Sequence, residues 1–216
     1  GMLANGDTGD GKLPSEETLV SYVVRELAHE KDLHGKKVLV TAGPTQEAID
    51  PVRYITNHST GKMGYALAEA AMLRGAEVTL ISGPTAIEPP MFVNVIPIIS
   101  AQEMFEKVAT NATENDIIIK AAAVADYRPK EVCDEKIKKS DHDTEIELER
   151  TTDILAYLGK NKGKTFLCGF SMETENMLEN SRRKLDKKNL DMIVANNLKD
   201  KGAGFGVDTN LITIIT

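Results

Sequence analysis

The sequence predicts an α/β protein built on a doubly wound, mainly parallel, Rossmann-like sheet. Three observations carry that expectation. Short β-branched and aliphatic runs alternate with helical stretches from Lys36 onward, the order that yields parallel strands joined by right-handed crossovers. The run Ile117-Ile118-Ile119 is apolar without alternation, as strands covered on both faces are. Gly-Pro turns end two of the strands, in Ala42-Gly43-Pro44-Thr45 and Ser82-Gly83-Pro84-Thr85, and in such sheets ligands bind just beyond the carboxyl ends of the strands.

Residues 1–16 carry four glycines and no hydrophobic period, which reads as a linker. Pro14-Ser15-Glu16-Glu17 opens a short helix with Ser15 as N-cap and Leu19, Tyr22, Val23, Leu27 and Ala28 as its apolar stripe, ended by His34-Gly35. Strands are expected at 38–42, 78–82, 93–99, 116–121, 165–170, 192–196 and 211–215. Pro97 marks the third of these as an edge or irregular strand. Helices are expected at 62–74, with Gly75 as C′ residue, at 100–110 behind the capping box Ser100-Ala101-Gln102-Glu103, and at 175–188.

Residues 127–150 break the alternation. They hold the basic cluster Lys136-Ile137-Lys138-Lys139-Ser140, a turn-like spacer Asp141-His142-Asp143, and the alternating Thr144-Glu145-Ile146-Glu147-Leu148-Glu149, which reads as a solvent-facing strand. A lysine-bearing excursion over the end of a parallel sheet reads as a lid.

At 216 residues the chain suits one domain with a sizeable core, and 41% hydrophobic with 27% charged residues is an ordinary globular composition. The net charge of −7 argues against general nucleic-acid binding. Cys133 and Cys168 have no metal-like spacing and read as free thiols of a reducing cytoplasm. No apolar run reaches the ~20 residues of a membrane span, and the polar N-terminus does not read as a signal peptide.

The stretch 38–64, VLVTAGPTQEAIDPVRYITNHSTGKMG, is where ligand chemistry is expected. Nearly twenty residues separate a strand from the next helix, where about 2–6 are usual. Thr41, Thr45, Arg53, Asn57, His58, Ser59 and Thr60 are polar donors there, and glycines flank a helix N-terminus that would favour an anion. The G-x-G-x-x-G dinucleotide fingerprint and the G-x-x-x-x-G-K-[ST] phosphate loop are both missing. Lys136, Lys138 and Lys139 are either a solvated patch or a counter-charge for phosphates; Lys184, Lys187 and Lys188 either complement a helix C-terminus or contact phosphate. Asp126 follows a run of small residues that lets a ligand approach the backbone. His58 has no partners in sequence that suggest a nucleophilic triad.

Taken together, TAGPTQEAIDPVRYITNHSTGKMG, AAAVADYRPKE, EKIKKS, TTDIL and GFSMETEN, in this order from about Leu33 onward, resemble the phosphopantothenoylcysteine synthetase family. The bacterial kind is usually fused behind a decarboxylase domain. The resemblance implies a ligase of coenzyme A biosynthesis that activates 4′-phosphopantothenate with CTP as an acyl-cytidylate and then transfers the acyl group to L-cysteine. By motif, Asn57 and Lys136 would be catalytic, and Arg53, Asn57, His58 and Ser59 would hold the acid substrate. Gly43, Ser59, Ala121, Ala122, Asp126, Lys136, Thr152, Asp153, Ile154, Leu155, Phe170, Lys184 and Lys188 would contact the nucleotide, Phe170 by stacking on the pyrimidine. The family implies Mg2+, with no ligands assigned here, and a cytoplasmic homodimer. Residues 1–34 then read as a linker and short helix left from the decarboxylase domain and 35–216 as the synthetase domain. Asn5 stands where that family's decarboxylase carries a reactive cysteine, so neither decarboxylase activity nor flavin is expected on this chain. The same ligation with ATP, and an NADPH-binding reductase on a similar sheet, are the rival expectations.

Overall fold

The computed structural model describes residues 13–139, 144–173, 175–197 and 209–216. Asn5, Ser140, the spacer Asp141-His142-Asp143 and Thr174 lie outside the described residues. The elements are α1 (Glu16–Leu27), β1 (Lys37–Ala42), β2 (Gln46–Ala48), β3 (Tyr54–Thr56), α2 (Lys62–Leu73), β4 (Glu77–Ser82), β5 (Asn94–Pro97), α3 (Ala101–Asn111), β6 (Ile117–Lys120), β7 (Tyr127–Pro129), β8 (Leu148–Arg150), α4 (Ile154–Asn161), β9 (Phe166–Glu173), α5 (Met177–Lys187), β10 (Met192–Asn197) and β11 (Ile212–Ile215).

Seven strands form one sheet in the order β11-β10-β9-β6-β1-β4-β5. Its neighbours are parallel except β10 and β11. The chain winds outward from β1 through β4 to β5, returns to lay β6 on the other side of β1, and winds outward again. β1 and β6 therefore flank the switch point, where a doubly wound sheet opens its crevice. Pro97 sits on the edge strand β5, where a missing N–H costs least.

The β-pleat sends alternate side chains to opposite faces, and the core divides accordingly. Leu39, Ile81, Ile118, Leu167 and Ile193 pack under α3 and α4 with Met104, Val108, Ile154 and Leu158. Val38, Val40, Val78 and Leu80 pack under α2 with Tyr65, Ala68 and Met72. Gly64 seats α2 on β1: a Cβ there would stand 2.5 Å from Ala42 Cβ and 2.9 Å from Ala42 Cα. Gly75, at φ +92°, ends α2 as expected of a C′ glycine.

Ser15 caps α1 through Thr18 N–H, but the helix stops at Leu27 rather than at His34-Gly35. Asp32 pairs with Arg74, and Lys31 Nζ donates to the Leu73 carbonyl at 2.6 Å, so the segment is drawn onto the C-terminus of α2. No residue of α1 is buried; the helix rests on Phe92 through Tyr22, edge-on at 4.7 Å, and Arg25. Ser100 accepts from Glu103 N–H at 3.2 Å, while the Glu103 carboxylate reaches Ile99 N–H at 2.8 Å instead of the N-cap amide.

Two antiparallel ribbons, β2–β3 and β7–β8, lie in the connections that leave the carboxyl ends of β1 and β6. The first occupies the long loop after β1, which the sequence gives no strand. In the second, the paired strand is Leu148–Arg150, the last two residues of the expected alternating strand and one beyond it. Helix α4 was also not expected. Asp153 N-caps it through Ala156 N–H at 3.0 Å, and Ile154, Leu155 and Leu158 are its buried face. Among the described residues, no helix is long and apolar enough to cross a membrane.

Candidate functional site

A cleft of about 1390 Å³ opens at the switch point. Its floor is the segment after β6, Lys120 to Val124, and its walls come from the Asn57–Gly64 stretch, the start of α4, strand β9 and the C-terminal part of α5.

The floor is fixed by groups on β1 and its following turn. Thr41 Oγ1 accepts from Ala122 N–H at 3.2 Å, and Thr45 Oγ1 accepts from Ala125 N–H at 3.0 Å. Ala123 N–H donates to the Gly43 carbonyl at 3.0 Å. The Ala123 carbonyl accepts both Thr45 N–H at 3.2 Å and Asn57 Nδ2 at 3.0 Å. Thr41 and Thr45 are fully buried, so their hydroxyls serve the floor and are not the ligand donors expected from the sequence. A buried hydroxyl whose bonds are satisfied inside the fold has nothing left to offer a ligand.

The sequence-derived candidates divide by position. Asn57, Ser59, Ala121, Ala122, Asp126, Thr152, Asp153, Ile154, Leu155, Phe170, Lys184 and Lys188 line this one cleft. Gly43 does not. It sits outside the lining at φ +73°, where a Cβ would meet the Gly83 carbonyl oxygen and Thr85 Cγ2 at 2.9 Å each, so its bare Cα lets the two Gly-Pro turns pass closely. His58 and Lys136 are exposed and outside the lining. Arg53 turns away from the cleft to pair with Asp50 and donates to the Ile137 carbonyl at 2.9 Å. Phe170 is half-buried in the middle of an eight-residue strand rather than at a strand end.

Asp50 is the hub of that outer contact. Its buried carboxylate accepts from Val52 N–H and Arg53 N–H at 2.8 Å each, from the Arg53 guanidinium, and from Ile137 N–H at 3.1 Å. The Arg53 hydrogen bond foremost, and the three backbone donors with it, outweigh desolvation and hold Asp50 well below the usual carboxylate range. Cys133 N–H adds a bond to the Ile49 carbonyl at 3.0 Å. The segment carrying Lys136 is thus moored to the turn between β2 and β3.

Inside the cleft two cations are matched by carboxylates. Lys184 pairs with Glu173 at 2.5 Å, and Lys188 pairs with Asp153 at 2.9 Å. Burial pushes the Glu173 and Asp153 carboxyls up, but hydrogen bonds outweigh it, from Lys184 and Ser171 in one case and from Ala156 N–H and Lys188 in the other. Both rest below their ordinary values. Lys120 differs. Burial, with the nearby charge of Lys188, pulls its amine down to about 8 against the opposing pull of Asp153 and Asp126. The sequence reading passes over Lys120, although a lysine ending an all-isoleucine strand is a legible signal. Among the described residues, no group of three or more His, Cys, Asp or Glu side chains is placed to hold a metal ion.

Strand order and cleft define a doubly wound α/β protein with a large cleft at the switch point. Residues 33–216 match the family described as DNA/pantothenate metabolism flavoprotein C-terminal domain, and the chain belongs to that family. It is similar to the coenzyme A biosynthesis bifunctional protein CoaBC of Bacillus subtilis (strain 168), with 52% identity over 217 residues, covering 99% of this chain and 53% of that protein. It is also similar to a cysteine/cysteine sulfinic acid decarboxylase from an unknown prokaryotic organism, with 49% identity, covering 100% of this chain and 62% of that protein. Among solved structures it resembles the C-terminal domain of a CoaBC protein, with 50% identity and a TM-score of 0.71, covering 84% of this chain and 82% of that one. The chain thus spans between half and two thirds of the length of these two curated relatives.

Proposed function

We propose that this chain is a ligase unit of coenzyme A biosynthesis that joins 4′-phosphopantothenate to L-cysteine, using CTP. The observation that carries the reading is convergence. Residues of four separated motifs, represented by Asn57, Asp126, Asp153 and Phe170, line one cleft together with Lys184 and Lys188 from the end of α5. The 50% identical CoaBC C-terminal domain supports the same assignment.

In the first step a carboxylate oxygen of phosphopantothenate forms a bond to the α-phosphorus of CTP and pyrophosphate leaves. In the second, the cysteine amine forms a bond to the acyl carbon, CMP leaves, and the amine loses a proton to solvent. Neither step needs a protein nucleophile. What the chain supplies is orientation and charge. Asn57 offers a neutral amide beside the floor, which orients a carboxylate without repelling it. Lys184 and Lys188 bring cations to the phosphates, Phe170 offers an apolar face to the base, and Lys136 approaches from the moored excursion acting as a lid. Mg2+ would neutralise triphosphate charge; the acidic residues present fit a cation held mainly by phosphate oxygens and water, with Asp126 as the carboxylate on offer. A homodimer, a covalently joined decarboxylase domain and a cytoplasmic setting belong to the same reading.

The test is pyrophosphate release with CTP or ATP, phosphopantothenate and Mg2+, with and without L-cysteine. Release that needs CTP and the acid, with amide formed once cysteine is added, is the expected result. Turnover with ATP alone overturns the nucleotide choice. Absence of both turnover and calorimetric CTP binding overturns the ligase reading.

A further inference from the structure

Lys120 ends β6 between two parallel neighbours, in register with Thr41 of β1 and Gly169 of β9. It therefore stands at the rim of the crevice in the middle of the sheet. By the two-residue alternation it shares a face with Ile118, which packs in the cluster under α3 and α4. Its side chain rises on that face into the cleft, beside the start of α4. A charged group at such a place is expensive unless something compensates it. Among the described residues, Lys120 Nζ has no hydrogen bond and no ion pair. The carboxylate best placed to serve it is already committed: Asp153 caps α4 and pairs with Lys188. Two other cations of the cleft, Lys184 and Lys188, each have an acidic partner within the fold.

From this we infer that Lys120 is an anion-binding residue of the cleft, whose ammonium takes a phosphate oxygen of the ligand as its missing counter-charge. The inference rests on the ligase reading only for the names of the ligands, which carry phosphate on both the nucleotide and the acid. The groups facing the amine are Asp126 on the loop after β6, Asp153 at the cap of α4 and Lys188 at the end of α5. Burial, with the charge of Lys188, leaves the amine easily discharged against the pull of the two carboxylates, so an arriving anion also draws a proton onto it.

The test compares wild type and Lys120→Met by calorimetry with three probes: CTP, 4′-phosphopantothenate and inorganic tripolyphosphate. Titrations run at pH 8.5 in two buffers of different ionisation enthalpy. Methionine keeps the unbranched length and removes the charge, and a melting curve no lower than wild type shows that the fold is intact. The expected result is at least a roughly tenfold loss of affinity for CTP and tripolyphosphate, the usual worth of a charge-assisted hydrogen bond. Proton uptake on binding should be present in wild type and lost in the variant. Loss for phosphopantothenate with CTP unchanged assigns the same anion site to the acid substrate. If tripolyphosphate binding depends on Lys120 while neither substrate binds, the anion site stands and the ligase reading falls. Equal affinity of both proteins for every probe, or no binding of any probe to wild type, overturns the inference.

Discussion

Ile137 N–H donates to the buried carboxylate of Asp50 at 3.1 Å, across 87 residues of sequence. With Arg53 clasping the same carboxylate and the Ile137 carbonyl, this is what fixes the Lys136-bearing segment to the body of the protein. Asp50→Asn keeps the shape and removes the charge that three backbone donors and a guanidinium share. The expected outcome is a drop in kcat of about tenfold or more with the KM for CTP little changed, because the lysine is mispositioned while the cleft itself is intact. Steady-state kinetics read the split, and Asp50→Glu should restore less than half of the loss because the longer side chain cannot keep all five bonds.

The same carboxylate makes stability fall in acid. Asp50, Asp153 and Glu173 all titrate below their ordinary values in the folded protein. The unfolded chain therefore binds more protons through that interval. The stabilisation is fully present above the usual carboxylate range, about pH 4 and higher, and is lost as pH falls through the folded values. Melting temperatures between pH 6 and pH 3 should decline steeply below about pH 4, and more shallowly in Asp50→Asn.

Asn57→Asp sets a carboxylate against the Ala123 carbonyl that Nδ2 now serves at 3.0 Å. It also places negative charge beside the anionic acid. Amide formation should fall by about a hundredfold, while a single burst of pyrophosphate still accompanies activation. Lys136→Gln should instead abolish the burst. Rapid-quench measurement of pyrophosphate in the first turnover distinguishes the two.

Glu173→Gln releases Lys184 from its closest partner. The cleft gains a positive charge, so CTP should bind about three- to tenfold more tightly at low salt, with the gain shrinking as salt rises. Calorimetry at two ionic strengths checks both parts.

Gly64→Ala tests how α2 is seated. The added Cβ would lie 2.5 Å from Ala42 Cβ and 3.0 Å from the Thr41 carbonyl oxygen, so helix and strand must part. A cost of about 1–3 kcal/mol in denaturant unfolding is expected.

The parallel sheet was legible because its strands are apolar and spaced by amphipathic helices, and Pro97 announced an edge correctly. What escaped was short or distant. β2 and β3 have three residues each, too few to show alternation. α4 runs for eight residues with Gly159 inside it, packed so closely that a Cβ would overlap the Lys188 carbonyl, and that glycine hid a helix whose cap, Asp153, was visible. Thr41, Thr45 and Arg53 read as polar donors of the long loop. Their partners within the fold, Ala122, Ala125 and Asp50 with Ile137, belong to segments whose proximity is set by the winding of the sheet. Most motif residues nonetheless converge on the cleft, whereas Lys136 stands outside its lining on the moored segment.

The placement of β6 against β1 has a consequence for the order in which the chain acquires structure. β4 and β5 can add to β1 as soon as they emerge, but the floor of the cleft needs bonds such as Ala125 to Thr45, 80 residues apart. One side of β1 must therefore wait unpaired while the first half of the sheet forms. Closing so long a loop is slow relative to local pairing. In a refolding experiment the Ala122 and Ala125 amides should gain protection from exchange after those of β4, so competence to bind ligand arrives with the second half of the sheet.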